Sequence, residues 1–418
     1  MNTQKPTHPL WTKDFTIITL GSAVSMIGNA MCGFVMSLLV LDYTQSTLLY
    51  SIYLAVYTLP QIIVPIFSGA ILDRRSRRKT IYTLDFISAA LYAFAAYILY
   101  AGWFSFPVLA GFCFMVGTIN SVYTVAYQSF YPLLITEGNY SKAYSVSSFL
   151  ETVSTIMIPV ATFAYNMLGS VPLFAVNSIS FLLAAIMETQ ITAREDYIEL
   201  QQNTRLQSGS FKNQVLADLK EGFDYLKKEK GLQAVTYYFT IASVGYGVSS
   251  VISLPYFKST YPNGEYVYIL VWGMSVIGRG LGSLLHYRFK FPAKHKYNIA
   301  LVVYVLTAVI EGIYLYLNIP LMMVLFFITG ILGVTSYTIR ISATQNYVPD
   351  EKKGRFNGAF NMLNTSGHML GNLLAGALTV SIAPRSVLVV FMAISAVFAV
   401  IIIGGNKKAV SDVYNREL

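Results

Sequence analysis

Charge is what this sequence has least of. Only 12% of its 418 residues are Asp, Glu, Lys or Arg, against 55% hydrophobic, and a water-soluble domain cannot hold that ratio. Acids are the scarcer sign, 20 against 29 bases. Two cysteines, Cys32 and Cys113, lie in separate apolar stretches without metal or disulfide spacing, so no redox chemistry is expected. The four histidines, at 8, 286, 295 and 368, make no metal set. No glycine-rich loop runs into Lys-Ser/Thr, which argues against ATP as the energy source within the chain. Gly278-Arg279-Gly280-Leu281-Gly282 superficially resembles a nucleotide loop, but it falls in an apolar stretch where small residues serve helix contact. The chain is therefore expected to be no enzyme and to need no cofactor. No cleavable leader is expected either, since Met1–Lys13 is polar and the first apolar run is long enough to span.

What is present is apolar sequence in long runs, with a mean hydropathy of +0.55. A spanning helix needs about 20 apolar residues. Twelve such runs lie near 15–40, 48–72, 80–101, 105–134, 143–167, 171–192, 233–257, 265–287, 297–317, 320–346, 355–380 and 385–404. On this map 25 of the 29 Lys and Arg fall on one side, so both termini are expected on the cytoplasmic face. The net charge of +9 is thereby explained by topology, and no nucleic-acid partner is expected.

One connection is long, from Ala193 to Gly231. Apolar residues at 211, 215, 216, 219, 223 and 226 recur there at helical spacing beside a charged face, which predicts an amphipathic helix on the membrane surface. The predicted organisation is a bundle over 1–192, a linker over 193–232 and a second bundle over 233–418. Gly69, Arg75 and Lys142 match Gly282, Arg288 and Arg355 at an offset of 213, and Thr118, Gln128 and Pro132 match Thr335, Gln345 and Pro349 at 217. A near-constant offset at corresponding helix ends predicts duplicated halves with a substrate site between them. His286 stands where the first half has Asp73.

Between the second and third runs lies Gly69-Ala-Ile-Leu-Asp73-Arg74-Arg75-Ser76-Arg77-Arg78-Lys79. This spacing resembles the loop between helices two and three of the major facilitator superfamily, with Gly69, Asp73, Arg74, Arg77 and Arg78 on the motif positions. Ser76 replaces a usual second glycine, which leaves either a less sharply bent turn or one resting on a serine hydrogen bond. Ser25-Met-Ile-Gly28-Asn, Asp85 inside the third run, and Asp218-Leu-Lys-Glu-Gly222 before Tyr225-Leu226 resemble the macrolide-efflux branch of bacterial drug exporters. In the fifth run Pro159 is present, while Ile156, Ile158 and Val160 stand where antiporters of the superfamily often carry glycines. The resemblance implies an all-α membrane protein of 12 helices in two pseudo-symmetric six-helix bundles. It also implies proton-coupled efflux of hydrophobic or amphipathic small molecules from a bacterial cytoplasmic membrane. The alternatives are a dedicated carrier of a siderophore, peptide or lipid, and a non-transporting sensor on the same scaffold. Partners are then substrate, protons and membrane lipid, with the protein a monomer.

Ionisable residues inside spanning helices are costly and mark function. Glu151, Arg279 and Arg340 each lie nine residues in from a helix end, roughly 13 Å deep. The resemblance sets helix five beside helices eight and ten, so Glu151 is expected to pair with Arg340 or Arg279 as a gate. That pair is either proton-coupled or permanently ionised. His368, one turn beyond Asn364, is either a titrating group or a neutral core side chain. Asp85, six residues past Lys79, is expected to pair with the basic loop, and Glu311 takes no assigned role. The resemblance also implies a cavity lined by helices one, four, seven and ten, which offer Asn29, Asn120, Tyr123, Tyr246 and Tyr337, with Met26 and Phe34 nearby.

Overall fold

A spanning backbone must satisfy its own N–H and C=O groups, so apolar runs of this length can only be helices or closed barrels. The computed structural model of the protein is all-helical among the described residues, which are 9–72, 75–136, 139–193, 195, 211–288 and 292–415. The helices are α1 (Lys13–Thr44), α2 (Thr47–Leu72), α3 (Arg77–Tyr100), α4 (Phe106–Phe130), α5 (Tyr140–Leu168), α6 (Ser170–Glu188), α7 (Phe211–Lys228), α8 (Lys230–Thr260), α9 (Gly264–Arg288), α10 (Lys296–Ile313), α11 (Ile319–Tyr347), α12 (Asp350–Leu378), α13 (Pro384–Phe398) and α14 (Lys407–Tyr414). α13 runs on as a π-helical segment over Ala399–Gly404. Local chemistry sets the ends: Thr12 Oγ1 accepts from Phe15 N at 3.2 Å, and Asn318 Oδ1 accepts from Leu321 N at 3.0 Å.

Eleven of the described helices are long and apolar enough to cross a membrane. The twelfth, α12, stands at the expected eleventh span and has 29 residues, ample length, but it carries Asn357, Asn361, Asn364, His368 and Asn372. Its polarity is partly answered by α8. Ser243 Oγ donates to Asn364 Oδ1 at 2.9 Å and Ser250 Oγ to Asn372 Oδ1 at 3.0 Å.

The chain forms two compact units, one of Met1–Gln45 and Val56–Phe211, the other of Ser46–Ala55 and Lys212–Leu418. Within the first, α1 packs on α5 and α6, and α3 packs on α4 and α6. Within the second, α8 packs on α12 and α13, and α10 packs on α11 and α13. These are the same pairings advanced by six spanning helices, the structural counterpart of the repeat in the sequence. The correspondence reaches single residues. A Cβ on Gly117 of α4 would stand 2.4 Å from Tyr57 O of α2, and one on Gly330 of α11 would stand 2.2 Å from Ser275 O of α9. Gly117 and Gly330 are themselves related by the offset of 213.

Lipid gives helices no hydrophobic reason to associate, so close backbone approach must do so within the membrane. Apolar cores also lie toward helix ends. Phe15, Ile18, Ile81, Phe130 and Leu134 form one in the first unit. In the second, Leu226 of α7 and Val410, Val413 and Tyr414 of α14 join Tyr238, Tyr304 and Phe356. Tyr304 and Tyr414 share a hydroxyl hydrogen bond at 2.7 Å. The amphipathic linker helix is docked on the start of α12, where Arg355 Nη1 meets Glu221 Oε1 at 2.7 Å and Lys352 Nζ lies 4.8 Å from the Tyr225 ring centre.

Gly117→Ala and Gly330→Ala are each expected to cost about 1–3 kcal/mol by forcing paired helices apart. Gly333→Ala, with nothing within 4 Å of its new methyl, is the control. Thermal unfolding of detergent-purified protein checks this, and equal melting points for all three variants would refute the close-approach argument.

Candidate functional site

The first unit encloses a cavity of about 590 Å³ within the range that holds a drug-sized ligand. Met26 and Asn29 reach it from α1, Asp85 from α3, Asn120 and Tyr123 from α4, and Glu151 from α5. Three residues expected to contact substrate thus share one cavity with two acids expected elsewhere. α3, α5 and α6 supply wall beyond the expected α1 and α4. The two amides are held in place, since Tyr92 OH donates to Asn29 Oδ1 at 3.4 Å and Asn120 Nδ2 donates to Tyr57 OH at 3.5 Å.

Glu151 is exposed in the cavity wall, whereas Asp85 is 1% exposed. Asp85 was expected to pair with the basic loop; among the described residues its carboxyl has no hydrogen-bond partner, and it is buried on α3. There it lies beside Glu188 of α6, which is fully buried at 0% exposure. None of the four carboxyl oxygens has a hydrogen-bond partner among the described residues. Sequence reasoning passed over Glu188, although it stands inside the predicted 171–192 span. The signal was available: Asn177, Phe181, Ala184 and Glu188 recur at helical spacing along one buried face of α6.

In the second unit Arg340 is half-buried in an aromatic cage, its guanidinium carbon 4.7 Å from the Phe360 ring centre, 5.0 Å from Phe239 and 5.6 Å from Tyr337. Arg279 is exposed on α9, in electrostatic range of Tyr246 and of Glu311 on α10. The His368 ring makes no hydrogen bond among the described residues, and Asn364 is engaged with Ser243. Glu151 belongs to one unit and both arginines to the other. His286 Nε2 meets Thr335 Oγ1 at 2.8 Å, so the counterpart of Asp73 is a helix-to-helix link between α9 and α11.

Two six-helix repeats around buried polar groups are what a transporter needs, and comparison with known proteins decides which kind. The family described as "Transmembrane secretion effector", a branch of the major facilitators, matches residues 4–412. The chain belongs to the major facilitator superfamily. It is 26% identical over 283 residues to macrolide efflux protein A of Streptococcus pyogenes, covering 66% of each. It is 20% identical over 286 residues to the uncharacterized MFS-type transporter YkuC of Bacillus subtilis, again 66% of each. The matched stretches thus span just under two thirds of these curated relatives. A mutant of the nucleoside transporter NupG shares the fold, with a TM-score of 0.63 and 13% identity over 95% of this chain and 98% of that one. Major facilitators are transporters, not enzymes.

In this major facilitator the superfamily loop is tied down by an acid absent from the motif. Asp73 and Arg74 lie outside the described residues, and Gly69 falls in the last turn of α2. Ser76 caps α3, its Oγ accepting from Lys79 N at 3.1 Å and donating to Glu195 Oε2. Glu195 Oε1 accepts from Arg77 N at 2.7 Å and from Arg78 N at 3.3 Å, placing a carboxylate on the positive end of the helix. Arg77 Nη1 donates to Ser129 O at 3.0 Å, Arg78 Nη1 donates to Ile191 O, and Asp14 Oδ1 accepts from Thr192 N at 2.9 Å. The turn therefore rests on a serine hydrogen bond, and Glu195 was the residue sequence reasoning did not name.

Ser76→Ala is expected to cost about 0.5–2 kcal/mol through the lost cap, and Glu195→Ala about 1.5–3 kcal/mol through three orphaned donors. Because both act on one helix end, the double variant should lose less than the sum. Strict additivity in thermal melts would show that the two groups act separately.

Proposed function

We propose that the protein is a secondary exporter of hydrophobic or amphipathic small molecules, driven by proton entry and working by alternating access. It acts as a monomer in a bacterial cytoplasmic membrane with both termini cytoplasmic, an orientation supported by the 25 of 29 cations on one side. The observation that carries the reading is the first unit's cavity, where five tyrosines, Phe181 and three aliphatic side chains alternate with five Ser/Thr hydroxyls, three amides and two acids. Such a lining suits a large amphipathic ligand with scattered polar groups. The relative named for macrolide efflux supports the same direction of transport.

Within this proposal Glu151 reads substrate charge, being the exposed carboxylate of the wall. Arg340, Arg279 and His368 are carried as gating or coupling groups on the strength of their depth in the membrane. Tyr246, Tyr337 and Asn364 are carried as the second unit's substrate contacts.

Purified protein in liposomes with an imposed pH gradient is expected to accumulate amphipathic dyes or macrolides and to leave nucleosides unmoved. Glu151→Gln should weaken binding of a cationic dye by about 1.5–3 kcal/mol, roughly tenfold or more in Kd, and leave a neutral dye unaffected. Flux of nucleosides alone would overturn the substrate class, and equal loss for both dyes would overturn the role given to Glu151.

A further inference from the structure

The first unit buries two acids side by side, with no cation beside them among the described residues. Asp85 is 1% exposed and Glu188 0%. α3 packs against α6, and the two carboxyls lie in electrostatic range of each other. An ionised carboxylate only accepts, so two of them meet without a hydrogen bond unless one carries a proton. Two bare charges sharing a dry site is the arrangement that a shared proton relieves.

The surroundings of the pair hold no cation among the described residues. From α1 come Gly21, Ser22 and Ser25; Ser25 Oγ donates to Gly21 O at 3.0 Å, and its side chain also faces Asp85. From α4 come the Tyr123 and Tyr127 hydroxyls, both in electrostatic range of Glu188. Arg78, two turns before Asp85 on α3, spends its guanidinium on Ile191 O. The hydroxyls of Ser22 and Tyr123 are buried near each other, with no hydrogen-bond partner among the described residues. Gly21 also makes room for the acid: a Cβ there would stand 3.0 Å from Glu188 Oε1.

The pair has a front and a back. Asp85, Ser22, Ser25 and Tyr123 line the 590 Å³ cavity, and Glu188 is not among the lining residues. We propose that Asp85 and Glu188 hold one proton between them and are the proton-carrying site of the exporter, with Asp85 trading that proton with the cavity and Glu188 retaining it from behind. This rests on the proton-driven reading above and assigns it to residues. The step is a proton transfer alone: uptake leaves one carboxylic acid and one carboxylate, and release into the cavity restores the second negative charge. A cationic substrate entering the cavity meets the extra charge only in the deprotonated state, so proton and substrate exclude one another.

Infrared difference spectra of the full-length protein across a pH titration test the pair directly. A protonated carboxyl band is expected in the wild type, lost in both Asp85→Asn and Glu188→Gln and kept in Glu151→Gln. A band that persists in the first two overturns the proposal. In liposomes loaded with ethidium, both variants should lose pH-driven accumulation, Glu188→Gln, which lies outside the cavity lining, should keep downhill dye exchange, and Asp85→Glu and Glu188→Asp should restore pH-driven flux. Variants that keep pH-driven accumulation overturn the proposal, and so does a Glu188→Gln protein of normal elution profile that loses exchange as well. A wild type driven by a sodium gradient instead overturns the proton assignment. A wild type with no driven flux sinks the coupled reading itself, and the infrared band then decides the pair.

Discussion

Close approach of helix backbones is the constraint on which the rest of this protein depends. Hydrocarbon surrounds the spans, so apolar side chains gain nothing by leaving it for one another, and helices hold together where small residues let backbones touch. Gly117 and Gly330 do this at equivalent places in the two units. The pairings of α1 with α5 and α6 reappear as those of α8 with α12 and α13. A duplicated contact scheme is preserved where sequence identity between the halves has nearly vanished, because a backbone contact tolerates almost any change except added volume.

The same geometry allows polar atoms to be buried. Along α1, Gly21 and Gly28 face Glu188 and Asn177 of α6, whose side chains fill the space a Cβ would take. A seam that elsewhere would be an ordinary helix contact here encloses an acid and an amide. Asp85 completes the group from α3, and the cavity opens beside it. Ligand space and buried charge are therefore neighbours, the arrangement a coupled carrier requires. At the helix ends, where water returns, stability is built by other means: aromatic cores, and carboxylates such as Glu195 and Glu221 that answer helix termini and arginines.

Much of this was legible in the chain. Spans follow from length and hydropathy because the bilayer imposes both. The linker helix over Phe211–Lys228 follows from its period, and the turn before α3 from its spacing. Asn29, Asn120 and Tyr123, named from the family resemblance and their depth, line a single cavity together with Glu151, which depth had marked as a gate residue. Glu188 was missed because an acid four residues from the end of a predicted span looks like an interfacial residue. Glu195 was missed because it caps a helix more than a hundred residues earlier in the chain. Asp85 was noticed and expected to meet the basic loop, from which six residues separate it at Lys79, while its neighbour among the described residues lies on α6.

Sequence by itself determined where the chain must be helical, how many crossings it makes and that its halves are copies, since a lipid solvent allows few backbone solutions and each needs a run of stated length. Only the tertiary structure decided which buried polar groups meet. Helix rotation and neighbour choice are set by contacts between residues far apart in the chain, so the pairing of Asp85 with Glu188, and of Ser76 with Glu195, has no signature along one segment.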